Sequence, residues 1–128
     1  MSELPPMQLG YARTELRRRL VDAVLRGDKT ATAGLRGDVE RLPQIGERSV
    51  LLDFDDEPVA IVETTEVRVV PAGEVDLAFA RDEGEGFETV ADWRRAHEDF
   101  WADRELRDDT LVVLERFRVV ERLETETP

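Results

Sequence analysis

The sequence predicts an α+β domain in which a small, mostly antiparallel sheet curls into a β-barrel with helices packed on its outside. Three observations carry that expectation. Two runs rich in Val, Leu and Ile, Arg48 to Asp55 and Pro58 to Val70, flank the acidic turn Asp55-Asp56-Glu57 and read as a hairpin. A late alternating strand, Thr110 to Val120, has nothing local to pair with, so it must join strands distant in sequence. The helical segments are too few and too clustered to supply the crossovers of a doubly wound parallel sheet.

The first element is a helix over Thr14 to Arg26, where Leu16, Leu20, Val21, Val24 and Leu25 form one apolar stripe. Glu15–Arg19 and Asp22–Arg26 are ion pairs four residues apart beside it, Thr14 is its N-cap and Gly27 its C-cap. The run Arg17-Arg18-Arg19 has no interleaved aromatics and reads as a solvated face. Thr30 to Leu35 is extended but made of small residues, and Arg36 to Glu47, with Gly37, Pro43 and Gly46, reads as a long surface loop. In the hairpin Val59 and Ile61, then Val67 and Val69, alternate with other residues; the expected core is Leu52, Val59, Ile61, Leu111 and Val113. Pro71 and Gly73 end the pattern, and Glu74 to Asp82 is a short helix with Val75, Ala78 and Phe79 inward. Thr89 and Asp92 have capping-box spacing ahead of a helix whose stripe is Val90, Trp93, His97 and Phe100/Trp101. The chain reads as one domain, 1–128, with its core at about 14–120 and a polar tail, Glu121 to Pro128, that frays.

Composition narrows the partners. Thirty acidic and eighteen basic residues give a formal charge of −12, the wrong sign for a general duplex-DNA binder. With no cysteine, disulfides, zinc fingers and thiol catalysis are excluded. The apolar runs are far too short to span a bilayer, and Met1 to Gly10 lacks the charged start and apolar run of a secretory signal, so a soluble cytoplasmic protein is expected. No metal-ligand set and no Gly-rich phosphate loop is visible, so neither a metal nor a cofactor is expected. The basic residues are arginines except Lys29, in Gly27-Asp28-Lys29-Thr30-Ala31-Thr32. In so arginine-rich a chain an isolated lysine suggests a place where an amine that can lose its proton is required. Its plainer reading is a cation complementing a helix C-terminus.

That segment, Leu42-Pro43 with Gly46, Glu63-Thr64-Thr65-Glu66-Val67, Phe79-Ala80 leading to Glu83-Gly84-Glu85-Gly86, Trp93-Arg94 with His97, and Leu111 to Phe117 occur in an order and spacing that resembles the ASCH domain family of the PUA-like β-barrel superfamily. The resemblance covers about Leu16 to Val120. It implies a barrel with a cleft that handles RNA or a nucleotide-derived ligand. Some relatives are similar to amidohydrolases that remove an acyl group from a modified cytidine; there the implied catalytic residues fall on Lys29, Thr32 and Glu83. Others are ribonucleases, in which the same lysine would stabilise phosphate charge.

Amide cleavage needs a nucleophile, an acceptor for its proton and a donor for the leaving amine. Thr32 supplies a hydroxyl, a desolvated Lys29 a base, and Glu83 either an acid for the leaving nitrogen or a group that orients a water. Residues 29 and 32 point to opposite faces of a straight strand, so Lys29 must lie in the turn after Gly27. Gly27, Thr30, Glu63, Glu85, Trp93 and His97 complete the candidate ligand contacts. For His97 the plainer reading is a hydrogen-bonded core histidine, with catalysis as the alternative; for Trp93 and Trp101 it is core packing, with base stacking as the alternative. Glu63 and Glu66 have opposite parity, so at most one faces a cleft. The readings are therefore a nucleoside-binding amidohydrolase, a non-catalytic module for single-stranded RNA, or a ribonuclease, as a monomer or homodimer. Lys29→Arg is expected to spare stability, and arginines around Lys29 would favour a polyanion whereas carboxylates and aromatics would favour a nucleoside.

Overall fold

The computed structural model describes residues 4–7 and 9–123. The remainder of the predicted tail, from residue 124, and part of the Met1 to Gly10 segment lie outside the described residues. The elements are β1 (Pro6–Met7), α1 (Glu15–Arg26), β2 (Ala31–Leu35), β3 (Arg48–Leu52), β4 (Pro58–Pro71), α2 (Leu77–Asp82), α3 (Val90–Phe100) and β5 (Leu111–Arg122), with 3-10 turns at Arg36–Asp38 and Ala72–Glu74. No described helix is long and apolar enough to cross a membrane.

Helix ends follow local chemistry. Thr14 accepts the N–H of Arg17, and Gly27 closes α1 in the left-handed region at φ 89°. Thr89 and Asp92 form a reciprocal capping box on α3. Between β3 and β4 the Asp53 carboxylate accepts the N–H groups of Asp55 and Glu57, each at 2.9 Å, and builds the acidic turn.

The five strands form one sheet in the order β1-β3-β4-β5-β2, antiparallel except for the β1–β3 pair. The sheet is open: β1 and β2 are its two edges. It is also curled, because residues of both edges, Met7 on one and Thr32 to Gly34 on the other, line the same cavity. The long strand β5 is buried on both faces. Val112 and Leu114 pack with Phe79, Ala80, Trp93 and Trp101 under α2 and α3. Phe117 lies on the other face, in a second core with Met7, Leu20, Val24, Leu51, Ala60 and Val62. A strand covered twice reads as a continuous apolar run, which accounts for Val112 to Leu114. Glu121 and Arg122 continue β5 opposite Ile61 and Ala60, so the polar tail begins later than expected.

Three expectations fail in instructive ways. The hairpin core has the opposite parity: Leu51, Ala60 and Val62 are buried, while Leu52 and Ile61 are only half-buried and Leu111 is 48% exposed. Alternation identifies two faces without saying which is inward, and Val59-Ala60-Ile61-Val62 is apolar on both. A register shift between Leu51 and Leu52 turns the strand end outward. Likewise Ala78 is exposed and Ala80 fills its place in the core. Arg17 is not solvated but wholly buried. Its guanidinium donates to the carbonyls of Leu9 at 2.7 Å, Gly10 at 3.0 Å and Asp53 at 3.0 Å, and to Asp56 at 2.9 Å. It thereby ties α1 to the chain before it and to the hairpin turn. Arg18 rests over the Phe54 ring, and Arg19 turns to the cleft described below.

Leu51→Ala should destabilise the protein by about 3 kcal/mol, a full core truncation, and Leu52→Ala by about 1 kcal/mol. Urea denaturation of both variants checks the parity; equal losses would contradict it.

Candidate functional site

The site begins where α1 stops. The N–H groups of Gly27, Asp28 and Lys29 bond to the Val24 and Ala23 carbonyls at 2.9 to 3.0 Å. Those carbonyls need no side-chain cation, so the Lys29 side chain does not serve as the helix-capping charge. It turns inward and is 2% exposed. Its Nζ donates to the carbonyl oxygens of Ala31 at 2.8 Å and Glu83 at 3.1 Å, and lies 3.6 Å from the Glu85 carboxylate. Lys29 thus precedes β2, and Thr32 is its second residue, which answers the parity objection.

The opposite wall comes from the end of α2. Thr30 donates its N–H to Asp82 O at 2.8 Å, drawing residues 82–84 against 28–30. Gly84 fits there only because it has no side chain: a Cβ would sit 2.5 Å from the Asp28 carbonyl oxygen, and its φ is +71°. Glu83 is 1% exposed, and its carboxylate meets Trp93 and His97. That carboxylate accepts a short hydrogen bond from Trp93 Nε1 and lies 3.5 Å from His97 Nε2. His97 stacks on Trp93 with ring centroids 4.2 Å apart and meets the edge of Trp101 at 5.0 Å.

Lys29, Thr32, Glu83, Glu85 and His97 line one cleft of about 660 Å³ between α1 and α3. Thr32 also borders a second cavity of about 260 Å³, enclosed by β1, β2, β3 and β5. There Glu115 accepts from the Thr64 hydroxyl at 2.7 Å. Burial pushes the Glu115 carboxyl up, with the nearby Glu47 charge adding to it and the Thr64 hydrogen bond opposing it.

Other expected contacts lie elsewhere. Trp93 is wholly buried behind Glu83 and offers no face to a ligand. Glu63 sits on the other side of β4 between Arg118 at 3.0 Å and Arg48 at 3.1 Å, whose hydrogen bonds hold its carboxyl below the usual range. Gly27 and Thr30 face a separate hollow of about 190 Å³ beside Arg118 and Arg122. The sequence reading missed Tyr11, Arg19, Asp99 and Phe100, which also line the main cleft. Phe100 follows from the α3 periodicity, which leaves room inside for one of Phe100 and Trp101. Tyr11 precedes α1 in a turn and carries no such signal. Among the described residues no cluster of His, Asp and Glu is placed to hold a metal ion.

An open, curled five-stranded sheet with a polar cleft between its first and third helices defines a small α+β domain. The ASCH domain family matches residues 7–121, and the chain belongs to that family. The ASCH domain from Lactobacillus crispatus JV V101 superposes with a TM-score of 0.80 at 31% identity, over 93% of this chain and 80% of that one. Protein EF3133 from Enterococcus faecalis V583 gives 0.84 at 30% identity, over 95% and 79%. Hypothetical protein PH0355, at 0.58 and 15% identity over 82% and 94%, shares the fold alone. None of the curated proteins matches the chain in sequence.

Both Gly84 and Gly86 have positive φ, but only Gly84 is in close contact. Gly84→Ala should cost about 3 kcal/mol and Gly86→Ala about 1 kcal/mol, read from chemical denaturation; similar costs would discount the contact. Glu115→Gln gives a pH test. A raised carboxyl binds its proton more tightly in the folded state, so folding stability falls as pH rises above its ordinary value of 4.5. The variant should therefore melt higher than the parent at neutral pH and equally below that value.

Proposed function

We propose that the domain hydrolyses an amide on a nucleoside-like ligand, with Thr32 as nucleophile, Lys29 as base and Glu83 as acid. The observation that carries this reading is the makeup of the cleft around Lys29. Its walls bring the carboxylates Glu83, Glu85 and Asp99 together with the rings of Tyr11, His97 and Phe100, against one arginine, Arg19. Such a surface suits a weakly charged, stackable ligand and repels a polyanion.

The chemistry follows from positions. Two carbonyl acceptors satisfy two N–H bonds of the Lys29 amine, leaving the remaining tetrahedral position for Glu85 or for an incoming proton. Thr32 Oγ1 attacks the acyl carbon while its proton passes to Lys29, and the C–N bond breaks as Glu83 protonates the leaving nitrogen. Water then opens the ester, returning one proton to Glu83, and Lys29 returns the other to Thr32. Tyr11, 77% exposed, and Phe100, 49% exposed, stand at the mouth and favour a second reading, a module that stacks one base of single-stranded RNA.

Thr32→Val keeps the shape and removes the hydroxyl. It should lose about 10³-fold or more in turnover of an N-acylated cytidine with little change in melting temperature. Lys29→Met should also abolish turnover, and should destabilise by about 1–3 kcal/mol because two buried carbonyls lose their donor. Lys29→Arg, expected from sequence to be benign, should now destabilise as well, since a planar guanidinium does not reproduce an amine held between two carbonyls at 2.8 and 3.1 Å. Hydrolysis and thermal shift with acylated cytidine, unmodified nucleosides and a single-stranded RNA decide among the readings. Stabilisation by RNA alone would make the protein a binding module.

A further inference from the structure

The chain has one histidine, and it lies in the cleft wall against the carboxylate assigned as the acid. His97 Nδ1 is 2.8 Å from the Trp93 carbonyl oxygen. A carbonyl oxygen only accepts, so Nδ1 carries a hydrogen and donates it. The other nitrogen, Nε2, then faces the Glu83 carboxylate at 3.5 Å. That carboxylate already accepts from Trp93 Nε1, and both His97 and Glu83 are buried. A bare Nε2 lone pair opposite an ionised carboxylate would set two acceptors against each other between two buried side chains, which is repulsive. One proton between them converts the repulsion into a charge-assisted contact.

We propose that His97 and Glu83 hold a single proton between them, and that His97 is the positioning residue that keeps Glu83 able to protonate the leaving nitrogen. The second half rests on the hydrolysis reading; the shared proton does not. In the cycle, the proton leaves through Glu83 as the C–N bond breaks. The pair is then left as a carboxylate beside a neutral imidazole bearing only its Nδ1 hydrogen. That unfavourable state recovers a proton from the water that opens the Thr32 ester, so the pair returns to its starting form. The other titratable groups facing the cleft are Tyr11 before α1, Arg19 of α1, Lys29, Glu85 and Asp99. On α3 itself Arg94 and Glu98 pair with each other at 3.4 Å. Among the described residues Glu83 is the one carboxylate within 4.0 Å of a His97 ring nitrogen.

A single histidine makes the test direct. Long-range 1H–15N NMR of the uniformly labelled protein reports one imidazole ring with no assignment step. The ring should show hydrogen at Nδ1 throughout, and hydrogen at Nε2 should be retained to higher pH in the parent than in Glu83→Gln. A ring that titrates identically in both proteins, or a parent ring protonated only at Nε2 above its titration, overturns the shared proton whether or not hydrolysis occurs. The parent spectrum alone gives the tautomer, so the second criterion survives even if Glu83→Gln fails to fold. His97→Gln tests the positioning role, because it retains a donor toward Glu83 but cannot titrate. The alkaline limb of the hydrolysis pH profile should move to lower pH; a lower rate with an unmoved limb would show a merely structural role and overturn that half. Absence of hydrolysis in the parent overturns the positioning role together with the hydrolysis reading, while the NMR shift still decides the shared proton.

Discussion

The architecture depends on one close approach, the backbone of residues 28–30 lying directly against that of 82–84. The Thr30 N–H bonds to Asp82 O, Gly84 leaves no side chain in the gap, and Lys29 bridges the two segments through the Glu83 carbonyl. The end of α1, the start of β2 and the end of α2 are thereby set in one place. The side chains at the junction inherit that rigidity: Lys29 and Glu83 are held by backbone carbonyls and by an indole N–H, groups that cannot swing away as a surface partner would.

A second tie works at the other end of α1. Arg17 spends its donors on three carbonyls and one carboxylate, joining segments that lack regular pairing with one another. Removing a buried guanidinium would leave those acceptors unmatched, the situation in which a buried polar group matters most for stability. The residues it holds, Leu9 and Gly10, form one side of the cleft mouth. Fold stability and cleft shape therefore share a residue that does not itself line the cleft.

Much of this was legible from residues alone. The caps of α1 and α3, the hairpin and the late strand each rest on local chemistry that neighbouring residues supply. The isolated lysine pointed to the cleft for the same reason, since its exception to an arginine-rich pattern is written in the chain. What escaped was decided across the fold. Strand parity in the hairpin depends on which side the helices cover, and a run apolar on both faces is silent about that. Arg17 looked like its neighbours Arg18 and Arg19 because burial of a guanidinium depends on carbonyls 8 and 36 residues away. Trp93 and His97 share a stripe, and only packing shows that the indole lies behind the imidazole. The pairing of β1 with β3 involves two residues, too short for any periodicity to mark.

The open seam between β1 and β2 gives the domain a freedom that a closed barrel lacks. In a closed barrel the bore is set by strand number and shear, and it changes only if the whole sheet is rebuilt. Here no ladder joins β1 to β2, and Leu9 and Thr32, on either side of the seam, border both cavities. Among the described residues the passage is bordered by Leu9, ahead of α1, as well as by Thr32 of the sheet. Substitutions beside the seam therefore reshape the chamber at Thr32, while Lys29 and Glu83 stay anchored at the junction of residues 28–30 with 82–84.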